Sequence, residues 1–487
     1  MRRSFLFSSA FLSAAISPLA LTVMACSNNN PSILTTASKI KVAQFNASLA
    51  VDNDSAESLE RWVKFFSYTR EQQEQEIEKW RATQGEVVAG KLTKEEKDLA
   101  ERLIQIRNIA AIIQKNRPDV LLINEFNSDG RGGNQTMELF QKNYLSHPQS
   151  LNGPDGGDMQ EPIEYPYYES YATNTGLQSG MDLDNDGKTD TNSPDDAYGF
   201  GYYHGHYAFG LMSKYEIDKA NTRTFQNFLW KDMRDENDQP VKIPTITTDT
   251  KPDGTKYKLP DKMNIGDNWY TDEEWAKLRL SSKNHVDVPL KVGGQTIHLL
   301  LSHPTPPAFD TVTEKNRIRN GHEILFWKHY IENKDWIYDD NGKKGGIDGK
   351  NEKFIIMGDL NADNFDSENN PKAREGIKKL TSSDLVNKEY VDGQFLPTSK
   401  GAKEEKESDG SYKYKHLKPE ARTSVFGLRV DWTLPSQNLA IEDSGVYWSA
   451  ADEPGRLLFN DKRMGKYGDS KEISSDHRFV WTTIKLK

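Results

Sequence analysis

"FIIMGDLNAD", residues 354–363, decides how this chain is read. Phe354 to Met357 form an unbroken apolar run that enters Gly358-Asp359-Leu360-Asn361, the pattern of a buried strand ending in a polar turn. The acid and amide groups at that end are either turn chemistry or one edge of a site, and the flanking sequence has to choose.

The same grammar recurs along the chain. "KIKVAQFNASLA" (39–50) reads as a first strand ending near Asn46. Leu99, Leu103, Ile106, Ala110 and Ile113 recur at helical spacing, Pro118 stops that helix, and "RPDVLLINEFN" then reads as a strand ending at Glu125. "GQTIHLLLSHPTPP" is a strand ending at His303, "RNGHEILFWKHYIE" a helix, and "FIIMGDLNAD" the strand after it. "TSVFGLRVDWTLPS" carries Asp431, and "SSDHRFVWTTIKL" opens on Asp476 and His477. Polar insertions interrupt the series at about 51–98, 216–278, 333–352 and 399–420. The first reads as a solvated helical insertion with Trp62, Phe65, Phe66 and Trp80 on a packed face, and the others as surface loops. No fixed-period repeat and no clean second domain is visible, so residues 39–487 are expected to form one α/β domain of strands and helices in sandwich-like layers.

The first residues read differently. "MRRSFLFSSAFLSAAISPLALTVMAC" places Arg2 and Arg3 before an apolar stretch and small residues, the layout of an export signal over residues 1–25. Val23-Met24-Ala25-Cys26 has the form of a bacterial lipobox, although Met24 is not its usual residue. On this reading Cys26 is acylated, residues 26–38 tether the domain to a membrane, and the protein resides in the bacterial cell envelope or is secreted. The alternative is a plain membrane-spanning helix, against which Pro18 and several serines count. Cys26 is the only cysteine, so the domain is held by its core, and by any bound metal, without an internal disulfide. A net charge of −10 gives no sign of a broad basic surface. A polyanionic substrate would be met by local arginines and lysines or by metal ions.

Asn46, Glu125, His303, Asp359, Asn361, Asp431, Asp476 and His477 thus stand in order at strand ends across the chain. Singly, each could be a cap or a turn residue. Together, "QFN", "PDVLLINE", "LLLSHPTPP", "GDLN", "RVDWTL" and "SSDH" resemble the endonuclease/exonuclease/phosphatase superfamily, which includes pancreatic-type deoxyribonuclease and inositol-phosphate phosphatases. The resemblance implies a four-layered α/β sandwich with two central mixed β-sheets flanked by helices. It also implies metal-dependent hydrolysis of phosphoesters, with Asn46 and Glu125 as primary ligands.

That chemistry needs charge neutralised on phosphoryl oxygens, an activated water and a stabilised leaving oxygen. Hard oxygen donors suit Mg²⁺, Mn²⁺ or Ca²⁺, with Asp476 as a further ligand. His477 is the expected proton-transfer or phosphate-orienting group, and Asp431 its carboxylate partner. Asp359 and Asn361, two apart on an extended segment, are expected to face one side and hold water and a phosphate oxygen, with His303 contacting phosphate from the other sheet. Arg317 and Arg319 are either a phosphate clamp or ordinary helix arginines. "DLDNDGKTDTNS" sets Asp182, Asp184, Asp186 and Asp190 in a calcium-loop pattern that lacks the closing Glu. Either a structural Ca²⁺ site, completed by Asp195 or Asp196, or a solvated acidic loop fits. His204, His206 and Tyr207 are either substrate-facing or core.

The expected protein is an exported, lipid-anchored, Mg²⁺- or Mn²⁺-dependent phosphodiesterase or nuclease acting as a monomer. A phosphatase of small organophosphates or phospholipids is the alternative, and a non-catalytic calcium-binding surface lipoprotein is the rival of another class.

Overall fold

The structure, a computed structural model, describes residues 37–50, 58–189, 192–366, 371–414, 416–459 and 473–486, with backbone only for 371–374. The signal, Cys26, most of the tether, and Asp190 lie outside the described residues. Among the described residues no helix is long and apolar enough to cross a membrane.

Thirteen strands occur in chain order among these residues: β1 (Lys39–Asn46), β2 (Val120–Asn124), β3 (Gln149–Ser150), β4 (Met159–Gln160), β5 (Tyr167–Ser170), β6 (Phe209–Ser213), β7 (Arg223–Thr224), β8 (His285–Val292), β9 (Gln295–Ser302), β10 (Lys353–Asp359), β11 (Asp431–Pro435), β12 (Ile441–Tyr447) and β13 (Phe479–Lys485). One sheet has the order β12-β13-β1-β2-β6-β5 and a second the order β11-β10-β9-β8-β7, while β3 and β4 form a separate ribbon. Each large sheet has one parallel pair, β1 with β2 and β9 with β10, and antiparallel neighbours elsewhere. A parallel pair requires a crossover, and the helices Lys94–Asn116 and Lys315–Ile331 supply it.

The period of two then sets the layers. On β1, Ile40 and Val42 join the core between the sheets, whereas Ala43 and Phe45 join the core against the helices. β2 divides in the same way, Val120 and Leu122 inward and Leu121 and Ile123 outward. Helix Lys94–Asn116 covers the outer face of the first sheet through Ile106, Ile109, Ala110 and Ile113, and helix Lys315–Ile331 joins the second sheet's core through Ile324, Phe326 and Trp327. The result is helix, sheet, sheet, helix, as the sequence predicts. Asn46 shares the parity of Ile40 and Val42, so its side chain enters the gap between the sheets.

The "FIIMGD" strand is clamped on both edges. A Cβ on Gly358 would lie 1.9 Å from the Ser302 carbonyl oxygen, so only glycine lets β10 pass β9 this closely. Across the other edge Asp359 pairs in register with Asp431.

Two insertions differ from the expected solvated loops. Residues 216–278 contribute β7 and bury Phe225, Phe228, Trp230, Met233, Ile246, Trp269, Tyr270 and Leu278 in the main core. Their apolar residues are irregularly spaced, so no periodicity marks them as core. In 333–352, Ile337 and Ile347 are buried and Asp339 pairs with Arg223 at 2.8 Å. The first insertion is helical as expected, Leu59–Ser67 and Arg70–Thr83, and buries Trp62, Phe66 and Trp80. In 399–420, buried His416 bonds buried Asp363 just beyond the "GDLN" turn.

Candidate active site

The strand ends meet at the seam between the two sheets. Asn46, at the end of β1, donates from Nδ2 to Glu125 Oε1 at 3.1 Å and to Asp359 Oδ2 at 3.0 Å. Its Oδ1 accepts the Ser48 backbone N–H at 2.9 Å. The amide nitrogen therefore bridges two carboxylates, while its oxygen, which accepts only the Ser48 N–H, keeps a second lone pair for a cation.

Glu125 follows β2 with φ of 53°, a left-handed backbone conformation uncommon outside glycine and concentrated at functional positions. Burial raises its proton affinity, and the nearby charge of Asp476 raises it further. Asp359 is buried, which raises its affinity as well; His477 works against this and Asp431 adds to it.

His477 Nδ1 lies 3.0 and 3.2 Å from the two Asp431 oxygens, and its Nε2 lies 3.7 Å from Asp359 Oδ2. Burial opposes a charged imidazole, but the Asp431 and Asp359 carboxylates outweigh it and hold His477 well above its ordinary value. The protonated ring donates through Nδ1 to Asp431 and aims Nε2 at the site. Asp431 is fixed in turn by Thr423 Oγ1, which donates to it at 2.7 Å and accepts the Val430 and Asp431 N–H groups. His303 behaves oppositely: burial, Lys283 and His477 keep it well below the ordinary imidazole range, so it is neutral, 3.6 Å from Asp359 Oδ2.

Asn361 corrects the same-face expectation. The strand ends at Asp359, and Asn361 has φ of 52° in a turn where its N–H donates to Asp359 Oδ1 at 2.9 Å. Alternation along an extended strand does not apply there. Asn361 Nδ2 donates to the Pro304 carbonyl at 3.1 Å, which ties the "GDLN" turn to the His303 loop.

Sequence reading passes over three residues that complete the site. Lys283 is buried, and its ammonium feels Glu323, Glu125 and Asp359. Ser475 Oγ donates to the Asn46 carbonyl at 2.7 Å and accepts the His477 N–H at 3.0 Å, joining β1 to the "SSDH" turn. Thr423 is the third. The doubled serine of "SSDH" is a signal that could have found Ser475, whereas Lys283 and Thr423 lie in coil without periodic context.

Other candidates fall outside this group. Arg319 bonds the carbonyls of Leu280, Tyr198 and Arg279 and lies over Trp230; it acts as a backbone staple, which leaves it little to offer a phosphate. Arg317 faces Asp310 at 3.4 Å. His206 is buried, bonded to the Ala50 carbonyl at 2.8 Å and stacked on Tyr207, and His204 bonds the Thr173 carbonyl at 2.9 Å. In the acidic loop, Asp182, Asp184 and Asp196 bring oxygens within 4.8 Å of one another, so Asp196 takes the place expected of Asp186. Asp186 instead accepts the Lys188 N–H at 2.8 Å.

The seam thus gathers Glu125, Asp359, Asp431 and Asp476 around two histidines and one buried lysine. A sequence profile described as "Endonuclease/Exonuclease/phosphatase family" matches residues 85–477. The chain belongs to this family. Its members are metal-dependent phosphoester hydrolases, and this chain is such an enzyme. Among solved structures it is similar to an endonuclease/exonuclease/phosphatase from Beutenbergia cavernae DSM 12333, with 13% identity, 92% of this chain and 72% of that chain covered, and a TM-score of 0.40. It is also similar to a mannosyl-6-phosphatase from Bacteroides thetaiotaomicron VPI-5482, with 11% identity, coverages of 91% and 99%, and a TM-score of 0.36. A third is a Staphylococcus aureus beta toxin double mutant with bound magnesium ions, with 11% identity, coverages of 92% and 100%, and a TM-score of 0.33. No curated protein matches the chain.

The donor set fits a divalent cation. Glu125 and Asp359 are both held above their ordinary proton affinity by burial and neighbouring carboxylates, the condition a bound hard cation relieves. Asp359 and Asp431 also bring carboxylate oxygens within 4.8 Å of one another.

Proposed function

We propose that the enzyme is an exported, lipid-anchored phosphodiesterase of the nuclease type that works with Mg²⁺ or Mn²⁺. The observation that carries the reading is the Asp431–His477 pair, with Nδ1 3.0 Å from the carboxylate and Nε2 directed toward Asp359 beneath the Asn46–Glu125 bridge. Glu125, assisted by Asp476, would hold the cation, whose charge neutralises phosphoryl oxygens as the transition state forms. Asn46 keeps Glu125 and Asp359 in fixed orientation. Asp359, raised in proton affinity, accepts a proton from the attacking water, and His477 delivers its Nε2 proton to the departing oxygen. Neutral His303 and Asn361 line the phosphate, with Lys283 beside them, its ammonium disfavoured by burial and supported by Glu323, Glu125 and Asp359.

With the cation bound, the four carboxylates are balanced by Lys283, His477 and the two charges of the metal, so a phosphoester enters without net repulsion. Export and acylation rest on the "VMAC" sequence and its apolar lead.

The test uses purified protein with plasmid DNA, RNA, a phospholipid, bis(p-nitrophenyl) phosphate and p-nitrophenyl phosphate, each with Mg²⁺, Mn²⁺ or chelator. Metal-dependent cleavage of the diesters, lost in Glu125→Gln with its fold intact, is the expected result. Activity confined to the monoester would replace this reading with the phosphatase, and inactivity on every substrate would favour the non-catalytic binder. Release of the protein from the membrane fraction by Cys26→Ser tests the anchor.

A further inference from the structure

The first insertion encloses a cavity of about 210 Å³ between helices Arg70–Thr83 and Lys94–Asn116 and the β3-β4 ribbon. Arg70, Arg81 and Arg107 line it, with Glu74, Asn108 and Gln149 among them, and no residue of the hydrolytic site does. Three guanidinium groups against one carboxylate leave the lining with an excess of positive charge.

The hydrogen bonds show where that charge is unanswered. Glu74 Oε2 accepts from Arg107 Nη1 and Nη2, both at 2.9 Å, while Arg81 is tied to the other Glu74 oxygen, to Glu78 and to the Pro154 carbonyl. Arg70 has no carboxylate partner among the described residues. Its Nη1 donates to Gln149 Oε1 at 2.9 Å, and Arg107 Nε reaches for the same oxygen at 3.4 Å. Two guanidinium groups therefore converge on one neutral amide oxygen where an anion would be the matched acceptor. Arg70 also occupies the first position of its helix, where the helix dipole disfavours a cation. Burial, then the charge of Arg107, pull Arg70 down to about 10, with Glu74 opposing and Arg81 adding to the fall, and a further anion would relieve the repulsion among the guanidinium groups.

We infer that this cavity is a binding site for a small phosphomonoester, its phosphate held by Arg70 and Arg107. The excess charge rests on Arg70 and calls for an anion, and a phosphomonoester offers several strong acceptor oxygens to the converging Arg70 and Arg107 groups. The volume exceeds what a bare phosphate needs, and Ile77, Ile104 and Met159 offer an apolar wall for the organic part.

The test titrates the full chain calorimetrically with glucose 6-phosphate and adenosine monophosphate, in chelator and at constant ionic strength, with glucose and succinate as comparators. One-to-one binding of a phosphomonoester is expected, with none of glucose. Arg70→Gln should weaken it by about 10- to 100-fold, the equivalent of one charge-assisted pair, with thermal midpoint and hydrolytic rate unchanged. Glu74→Gln should tighten it, because a competing acceptor is removed. The inference is overturned if neither phosphomonoester binds, if Arg70→Gln binds as the wild type does, or if Glu74→Gln weakens binding as Arg70→Gln does. Succinate binding as tightly as the phosphomonoesters would overturn the assignment to phosphate.

Discussion

Asp431→Asn is the sharpest perturbation of the hydrolytic site. The side chain keeps its size and can keep the Thr423 contact, but the charge facing His477 is lost. At the 3.0 Å separation seen here, an effective dielectric near 20 gives an attraction of about 5 kcal/mol. Loss of the carboxylate also removes the cost of burying it, so a net effect of about 2–4 kcal/mol on the imidazolium is expected. His477 then falls back toward its ordinary value, since only Asp359 and Asp476 remain to oppose burial. The proton delivered to the leaving oxygen is lost, and kcat should fall about 10²- to 10⁴-fold, the usual worth of acid–base assistance. Stability supplies an independent reading. A histidine whose affinity is raised on folding stabilises the fold fully below pH 6.5, its ordinary value, and loses that contribution as pH rises through the raised folded value. In chelator, the wild type should therefore exceed Asp431→Asn in thermal midpoint most at about pH 6, and the difference should shrink on the alkaline side. A variant with kcat within about threefold of wild type, or with a midpoint difference independent of pH, would refute the pairing.

Two further outcomes follow from the geometry. Gly358→Ala forces a methyl group against the Ser302 carbonyl, 1.9 Å from an ideal Cβ, so the β9-β10 pair must separate; a loss of about 3 kcal/mol or more in denaturant unfolding is expected. Lys283→Met removes a buried cation that depresses His303, so the His303 ring, followed by NMR titration, should gain proton affinity while the phosphodiester KM rises; an unmoved His303 would place Lys283 outside the site.

Which parts of this arrangement the sequence discloses depends on periodicity. Asn46, Glu125, Asp359 and Asp431 each follow or begin a run of β-formers, and a polar group at the end of a buried run needs either a turn or a partner, so these residues stand out. The crossover helix before "PDVLLINE" has a regular apolar face and is equally legible. Lys283 and Thr423 lie in coil, where no repeat distinguishes a buried polar residue from an exposed one. Arg319 looks like a phosphate clamp because its partners, the Leu280, Tyr198 and Arg279 carbonyls, are remote in sequence. Asn361 misleads for a related reason: two-residue spacing implies a common face only while the chain stays extended, and the left-handed turn begins one residue after Leu360.

The site is built from contacts between the sheets more than from either sheet alone. Asn46 of the first sheet bonds Asp359 of the second, and His477, ahead of β13, bonds Asp431 at the start of β11. A few residues deeper, Thr433 and Thr482 bond across the same gap at 2.8 Å. Both contacts therefore depend on how the two sheets are seated, since Asp359 and Asp431 each have a partner on the opposite layer. Slippage between the sheets would take Asn46 from Asp359 and His477 from Asp431, leaving the buried carboxylates only the Asn361 N–H and Thr423, so the same contacts that prepare the chemistry also fix the packing of the sandwich. This accounts for a long, disulfide-free chain tolerating large insertions at its edges: they enter between strands, while the strand ends at the seam stay in register.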